Sequence, residues 1–201
     1  MVPTGSIASV VDSTPAIPVT DEQARLLLDV AEQSIRHGLA TGQALSVDLA
    51  DYPEQLRQPG ACFVTLRKHG ELRGCIGSLS PRRPLLEDVA RNSFAAAFED
   101  PRFMSLREDE LAELSLHISL LGPSEPLAIR TEAELLALLR PGIDGLILED
   151  GPYRATFLPS VWEQLPEPRQ FLQQLKRKAG LPEDYWSTTL RFSRYQCEGI
   201  E

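Results

Sequence analysis

A glycine-rich stretch at residues 72–79, Leu-Arg-Gly-Cys-Ile-Gly-Ser-Leu, constrains the fold more than any other part of the chain. It otherwise resembles a β-strand, and glycine weakens a strand and exposes its backbone. Gly74 and Gly77 therefore indicate a bulge, or the close approach of a ligand or another backbone segment. Arg73 and Cys75 are two positions apart, so an extended strand directs both to one side, where the guanidinium favours the reactive thiolate. The alternative is a tight hairpin whose cysteine is one more small core residue.

This stretch forms the second half of a predicted β-hairpin. Strands over residues 62–68 and 71–76 flank a two-residue His-Gly turn, which places Val64 opposite Cys75. Cross-strand partners share a face. The face of Cys75 is therefore predicted to carry Cys62, Val64, Leu66 and Arg73, and the other face Leu72, Gly74 and Ile76. A bulge at Gly74 would change this facing.

Composition is typical of a globular protein and excludes some partners. Of the 201 residues, 42% are hydrophobic and 24% are charged. The net charge of −9 disfavours binding to nucleic acid and docking to anionic membranes. No apolar run approaches the roughly 18 residues that a membrane span needs. Three widely spaced cysteines without a C-x-x-C pair indicate a reducing, cytoplasmic environment.

The chain is predicted to consist of a short tail and one domain. Residues 1–19 are rich in Ser, Thr, Val and Pro and lack the features of a signal peptide, so we expect a flexible tail. We expect residues 20–201 to form a single domain. A capping box at Thr20 begins its first helix, and Gly38 is predicted to end it. Later patterns predict helices over 85–98, 107–114 and 168–179, and strands over 115–121, 145–149, 153–157 and 190–197.

Two further places carry candidate functional groups. Glu99 and Asp100 follow the predicted helix over 85–98, where acidic groups oppose the helix dipole. Together with Arg102 they form either a solvated turn or a carboxylate–arginine rim to a cleft. His117 is predicted to lie on the polar face of its strand, where it is either a base or a half-exposed residue without a catalytic role.

Several well-defined chemistries are absent from the sequence. It contains no G-x-G-x-x-G, no Walker loop, no H-E-x-x-H and no G-x-S-x-G. The three histidines are far apart in sequence, which disfavours a metal site, and we assign no metal ligand. Cys75, in its glycine-rich and arginine-flanked turn, remains the strongest candidate for chemistry.

Six stretches of the chain, in order, resemble the AMMECR domain family. The hexapeptide at 72–77, Leu-Arg-Gly-Cys-Ile-Gly, resembles the signature of that family. The other stretches are Phe-Glu-Asp-Pro-Arg-Phe at 98–103, Ile-Ser-Leu-Leu at 118–121, Gly-Leu-Ile-Leu at 145–148, Thr-Phe-Leu-Pro-x-Val-Trp at 156–162 and Lys-Ala-Gly-Leu at 178–181. The resemblance runs from about residue 20 to the last residue, and it is strongest to the prokaryotic form, protein A of the AmmeMemoRadiSam system.

The resemblance implies a fold and a set of partners but no reaction. It implies an α+β fold with a mainly antiparallel sheet flanked by helices, in two unequal lobes with a cleft between them. It also implies a genetic or physical link to a Memo-type protein and to a radical S-adenosylmethionine enzyme. The family has no established activity, so the substrate, an unknown small molecule, and any cofactor stay unassigned.

The residues leave two functions open. In the first, the chain is an enzyme or enzyme subunit in which Cys75 is a nucleophile or transient carrier. Arg73 would favour its thiolate and hold an anionic substrate, and the amides around Gly74 and Gly77 would donate to a developing oxyanion. The proton would be handled by Glu99, Asp100 or His117.

In the second function, the chain is a non-catalytic adaptor that uses the same hairpin as a protein interface. Gly74 and Gly77 would then permit close backbone contact, and Cys75 would merely be small. A third function, regulation of nucleic acid, is disfavoured by the acidic charge, since the basic clusters are confined to residues 82–83 and 176–178.

Overall fold

A computed structural model describes residues 19–201 of the chain. Residues 1–18, and with them nearly all of the predicted tail, lie outside the described residues. The predicted α+β class is confirmed, because antiparallel sheets are flanked by helices. The α-helices of the described part are α1 (Asp21–Thr41), α2 (Glu54–Arg57), α3 (Leu85–Phe98), α4 (Glu132–Leu138) and α5 (Pro168–Lys178). Short 3-10 helices lie at Leu49–Asp51, Glu108–Glu113 and Pro159–Glu163.

The strands of residues 19–201 form two antiparallel sheets of four strands and one short pair. In chain order they are β1 (Pro59–Gly60), β2 (Cys62–Lys68), β3 (Glu71–Gly77), β4 (Arg83–Pro84), β5 (Leu114–Leu121), β6 (Glu125–Pro126), β7 (Gly145–Asp150), β8 (Tyr153–Phe157), β9 (Arg191–Tyr195) and β10 (Cys197–Ile200). The first sheet has the order β10–β5–β2–β3 and the second the order β6–β9–β7–β8, while β1 pairs with β4. In the first sheet β3 is an edge strand, and this matters for the site.

Helices α1 and α3 cover one face of the first sheet. The capping box at Thr20 is confirmed, since its hydroxyl accepts from the Gln23 amide at 3.2 Å and the Gln23 side chain accepts from the Thr20 amide at 3.0 Å. The helix end predicted at Gly38 is wrong, because α1 continues to Thr41. Gly38 instead makes room for α3, since a Cβ there would lie 2.4 Å from the Phe98 ring.

The core between α1, α3 and the first sheet contains alternate residues of β2. Val64 and Leu66 are fully buried, as is Ile118 on the neighbouring strand β5. Alternation places every second residue of a strand on one face. The residues between them therefore lie on the opposite face of the sheet, which carries the candidate site.

The second sheet has a core of its own, with α5 against it. Phe171 and Leu175 of α5 are fully buried together with Leu146 and Leu148 of β7. Trp162 stacks on Phe171 with ring centroids 3.7 Å apart. This packing orients α5 so that its last residue, Lys178, can reach the first sheet.

Two strands run from one sheet into the other. β5 continues into β6 across residues 122–124, and β9 continues into β10 across Gln196 alone. The carbonyl of Gln196 accepts from the Gly122 amide at 2.9 Å at this passage. The closing strand predicted over 190–197 is therefore divided, with one part in each sheet, because the chain changes sheet partner at Gln196.

Candidate functional site

The β2–β3 hairpin places Cys75 on the face opposite the helices. Cys75 pairs with Thr65, and Thr65 pairs with His117 of β5, so the three side chains share a face. The predicted pairing of Val64 with Cys75 is wrong, because Val64 pairs with Ile76. Of the residues predicted to share the face of Cys75, Cys62, Val64 and Leu66 are fully buried in the helix-covered core.

The reason for the different register is a β-bulge at Arg73. Leu66 pairs with Gly74 and the next residue of β2 pairs with Leu72, so Arg73 is the extra residue on β3. A bulge adds one residue to one strand and re-aims its side chain. The bulge was predicted at Gly74, but the inserted residue is its neighbour Arg73.

The backbone of Cys75 is bound by the turn that follows α3. Its amide donates to Asp100 Oδ2 at 2.9 Å, and its carbonyl accepts from Arg102 Nη2 at 3.2 Å. Both groups point away from β2, because β3 is the edge strand of its sheet. Asp100 and Arg102 thus complete the hydrogen bonding of this edge and are brought next to Cys75.

Asp100 is held as a fixed anion. Arg102 donates to it from Nε at 2.9 Å and from Nη2 at 2.7 Å, and the side chain of Asp100 is only 2% exposed. These hydrogen bonds from Arg102 lower the pKa of Asp100 to about 2, against the opposing effect of burial. Asp100 is thus a carboxylate that accepts from both the Cys75 amide and Arg102, and it positions the backbone of Cys75.

The thiol of Cys75 is half-buried and has one side-chain partner. Thr65 Oγ1 lies 3.4 Å from Cys75 Sγ. The two residues form a pair whose backbone groups point outward, and side chains lie closest in such pairs. Thr65 was not singled out in the sequence, although it follows from the register once Cys75 is placed.

A lysine from α5 completes the surroundings of Cys75. Lys178 donates from Nζ to the Thr156 carbonyl at 3.0 Å and lies 5.2 Å from the centre of the Phe157 ring. Burial lowers the pKa of Lys178, as does the charge of Arg102, while a thiolate at Cys75 raises it. Sequence reasoning missed Lys178 as a site residue, and the available signal was its place in the Lys-Ala-Gly-Leu stretch.

Arg73 is directed to a carboxylate of the 3-10 helix Glu108–Glu113. It donates to Glu110 from Nε at 3.1 Å and from Nη2 at 2.9 Å, and Nη2 also donates to the Met104 carbonyl at 2.9 Å. These hydrogen bonds from Arg73 lower the pKa of Glu110 to about 2. The cation beside the Cys75 backbone is therefore Arg102, and Arg73 forms a separate ion pair.

Glu99 and His117 have partners of their own. Glu99 forms an exposed ion pair with Arg91 at 2.9 Å. His117 Nδ1 lies 3.1 Å from Glu201 Oε1, and β2 separates its strand from that of Cys75. Neighbouring strands are about 4.8 Å apart, so His117 and Cys75 are about 10 Å apart. They can contact one ligand from two ends, but they do not contact each other.

The two glycines of the signature are surrounded by the chain itself. A Cβ at Gly74 would lie 2.1 Å from the carbonyl oxygen of Ala96 in α3. A Cβ at Gly77 would lie 2.3 Å from the Phe63 ring and 2.5 Å from the Cys62 carbonyl oxygen. The close approach that both glycines predicted is therefore internal packing, which brings α3 against β3 at Gly74 and β2 against β3 at Gly77.

Burial disfavours the thiolate at the other two cysteines. Cys62 is fully buried beside Asp88, and Cys197 is half-buried. Burial raises the pKa of both thiols, to about 12 for Cys197. Within residues 19–201 no three His, Cys, Asp or Glu side chains come together as a metal site would need. No helix of the same range is long and apolar enough to cross a membrane.

The fold and the site define a class of α+β proteins in which a half-buried cysteine stands on the edge strand of an antiparallel sheet. The family model AMMECR1 matches residues 28–200, and the chain belongs to this family. It is 36% identical to a protein of Methanothermobacter thermautotrophicus over 183 residues, which cover 90% of this chain and 95% of that protein. Protein MJ0810 of Methanocaldococcus jannaschii is 34% identical over 191 residues, which cover 91% of this chain and 92% of the relative.

The fold is also similar to that of a solved structure. The crystal structure of uncharacterized protein PH0010 from Pyrococcus horikoshii matches with a TM-score of 0.84 and 31% sequence identity. The match covers 90% of this chain and 92% of that one. The two-sheet arrangement described above is therefore shared across the length of both chains.

Proposed function

We propose that Cys75 is the nucleophile of a site that binds a small anionic electrophile and attaches it reversibly to sulfur. One observation carries this proposal. A half-buried thiol lies near two cations, Arg102 and Lys178, which belong to separate parts of the chain. Cations near a cysteine favour the thiolate, which is the form that attacks electrophiles.

The two cations have different roles in the proposal. Arg102 is neutralised by Asp100, so it holds the backbone of Cys75 in place. Lys178 has one hydrogen-bond partner among the described residues, the Thr156 carbonyl. An ammonium has three N–H donors, so two are free to bind the anionic group of a ligand. Lys178 is also the proposed proton-handling group in place of Asp100, because burial lowers the pKa of its ammonium.

The proposed step balances without a further reactant. The sulfur of Cys75 attacks an electrophilic carbonyl carbon, and a C–S bond forms while the π-electron pair of the carbonyl moves to its oxygen. The proton that left the thiol passes through Lys178 to this oxygen, which gives a thiohemiacetal. The reverse sequence releases the ligand, so Cys75 would serve as a transient carrier.

The partners are proposed from the resemblance to the AmmeMemoRadiSam system. We propose that the chain acts in the cytoplasm with a Memo-type protein and a radical S-adenosylmethionine enzyme. The cleft between two lobes that the resemblance implies would then enclose Cys75. A reversible carrier suits such a system, because it can hold an intermediate between two partner enzymes.

The test compares two alkylating agents that differ in charge. The chain is treated with iodoacetate and with iodoacetamide, and the rates at each cysteine are measured by peptide mass spectrometry. We expect the ratio of the iodoacetate rate to the iodoacetamide rate at Cys75 to exceed that of glutathione, because Lys178 attracts the carboxylate. Cys62 and Cys197 serve as internal references, since burial raises the pKa of each.

The decisive variant is Lys178→Met, which we expect to lower the rate ratio at Cys75 to that of glutathione. Arg177→Met is the matched control, because Arg177 lies in the same helical turn but pairs with Glu183 on the surface. A wild-type ratio equal to that of glutathione, or a Cys75 that reacts only after unfolding, would rule out the nucleophile.

The alternative function, a non-catalytic adaptor, has one observation in its favour. Leu72, the first residue of the signature hexapeptide, is 39% exposed on the edge strand β3. An adaptor predicts that Leu72→Ser weakens binding to the purified Memo-type protein and leaves the alkylation of Cys75 unchanged. Tyr153→Ser is the control, since Tyr153 is 43% exposed on the second sheet.

A further inference from the structure

A depression of about 360 Å³ lies at the outer end of the β3 edge. We infer that it is a second binding site, for a small molecule that carries a carboxylate on an apolar or aromatic body. Its walls include Lys68, Arg73, Phe103, Met104 and Arg107. None of these residues takes part in the proposed chemistry at Cys75, so the inference does not depend on it.

Arg73 supplies the central argument. A guanidinium has five N–H donors, one on Nε and two on each terminal nitrogen. In Arg73, Nε and Nη2 are bonded to Glu110 and to the Met104 carbonyl. Nη1 is the one buried side-chain nitrogen or oxygen of residues 19–201 that has no hydrogen-bond partner. Because a buried donor without an acceptor is costly, this nitrogen requires an acceptor from outside the chain.

The ion pair with Glu110 fixes the position of the Arg73 guanidinium, and with it the free donors on Nη1. Glu110 binds Arg73 through both of its oxygens, and its pKa of about 2 keeps it ionised at neutral pH. The side chain of Arg73 is only 13% exposed. A guanidinium fixed in this way loses little entropy when a ligand binds. The bulge at Arg73, which re-aims this side chain, is the backbone feature that creates the site.

Ion pairs occupy the charged walls of the depression. Lys68 pairs with Glu113 at 2.9 Å and with Glu110 at 3.4 Å, and Arg107 pairs with Asp109. The donors left for an anion are therefore those of Arg73 Nη1. A carboxylate oxygen can accept from Nη1, and charge-assisted hydrogen bonds of this kind are the strong ones.

The apolar walls define the body of the ligand. The Phe103 ring lies between two arginines, with centroid distances of 5.9 Å to Arg73 and 5.4 Å to Arg102. Met104 is 86% exposed, although its side chain is apolar. A flexible thioether beside an aromatic ring adapts to flat apolar ligands. An aromatic carboxylate would therefore cover Met104 while it satisfies Arg73.

The test uses the methionine as its reporter. The sequence contains two methionines, Met1 and Met104, so a sample labelled with ¹³C at the methionine methyl gives two signals, and Met104→Leu assigns them. The full chain is titrated with benzoate and with benzamide, its uncharged counterpart of similar shape. We expect a saturable shift of the Met104 signal with benzoate, and an affinity for benzamide that is lower by roughly tenfold because one charge-assisted hydrogen bond is lost.

Variants distinguish benzoate binding through Arg73 from non-specific binding of benzoate. Arg73→Lys keeps the charge but removes the Nη1 donors, so its affinity for benzoate should fall to that of benzamide. Arg154→Lys is the matched control, because Arg154 forms an ion pair of the same kind with Glu149 at 3.0 Å on the second sheet. Cys75→Ser should bind benzoate like the wild type, which distinguishes this site from the one at Cys75.

The titrations of the wild type test whether the depression binds a carboxylate even if Arg73→Lys does not fold. Equal shifts with benzoate and benzamide, or no saturable shift with either, would overturn the inference and leave water as the acceptor of Nη1. A loss of benzoate affinity in Cys75→Ser would equally overturn the claim of a second site.

Discussion

The backbone amide of Cys75 donates to Asp100 Oδ2 at 2.9 Å, and this bond joins the turn after α3 to the free edge of β3. An unpaired strand edge is a site for pairing with other chains, and folded proteins cover or block it. The Asp100–Arg102 pair does so at the position that carries the candidate nucleophile. The same two residues thus protect the sheet edge and hold Cys75 in place.

The first prediction concerns Asp100 and pH. A pKa lowered to about 2 from the usual 3.8 means that ionised Asp100 stabilises the fold above about pH 4. This contribution is lost as the pH falls towards 2. We expect Asp100→Asn to lower the free energy of unfolding at pH 7 by about 2 kcal/mol, and the difference from the wild type to shrink as the pH approaches 2.

Urea denaturation across this pH range measures the effect. Asp51→Asn is the control, because Asp51 is exposed and has no side-chain partner among the described residues. A difference between Asp100→Asn and the wild type that stays constant from pH 7 to pH 2 would show that the ion pair with Arg102 is not its source.

The second prediction concerns Gly74 and the packing of α3 against the sheet. A Cβ at Gly74 would lie 2.1 Å from a backbone oxygen of Ala96, which no side-chain rotation can relieve. We expect Gly74→Ala to destabilise the fold by about 3 kcal/mol, at the upper end for overpacking of a core. Thermal unfolding measures the change.

Gly70→Ala in the same hairpin is the control for this prediction. Gly70 has a φ of +84° and open space around a Cβ, so it tests the cost of backbone conformation alone. That cost is about 1 kcal/mol. Equal melting temperatures for Gly70→Ala and Gly74→Ala would contradict the close contact with α3.

The third prediction concerns a buried lysine in α5. The side chain of Lys176 is 0% exposed, and its Nζ donates to Glu132 Oε2 at 2.6 Å and to the Glu183 carbonyl at 3.0 Å. Removing one partner of a buried ion pair leaves an uncompensated charge, whereas removing that charge avoids the penalty. We expect Glu132→Gln to destabilise the fold by about 2 kcal/mol, and Lys176→Met to cost less.

Equilibrium unfolding of the two variants and of the double variant measures this pair. The double variant should be more stable than Glu132→Gln alone, because it no longer buries an unpaired ammonium. If it were less stable than either single variant, the hydrocarbon stem of Lys176 would matter more than its charge.

Local patterns predicted the elements of this protein well. The helix over 85–98 and the strand at 62–68 occur at the predicted bounds, and the capping box at Thr20 is confirmed. Helix and strand periodicity involves residues that are close in the chain, so it can be recognised from the sequence alone. The predicted register of the hairpin was wrong from Gly74 onwards, because one inserted residue at Arg73 shifts the pairing of the β3 residues that follow it.

The sequence alone pointed to Cys75, to Asp100 and Arg102, and to the family, since glycine, cysteine and charge in a short stretch are visible without a structure. Only the tertiary structure decided that Arg102 and not Arg73 lies beside Cys75, and that Lys178 approaches it from α5. Those relations join residues separated by 27 and about a hundred positions. They arise because the unpaired backbone groups of an edge strand bond to side chains that helix packing brings close. Helix packing joins residues distant in the chain, so no local sequence pattern predicts these partners.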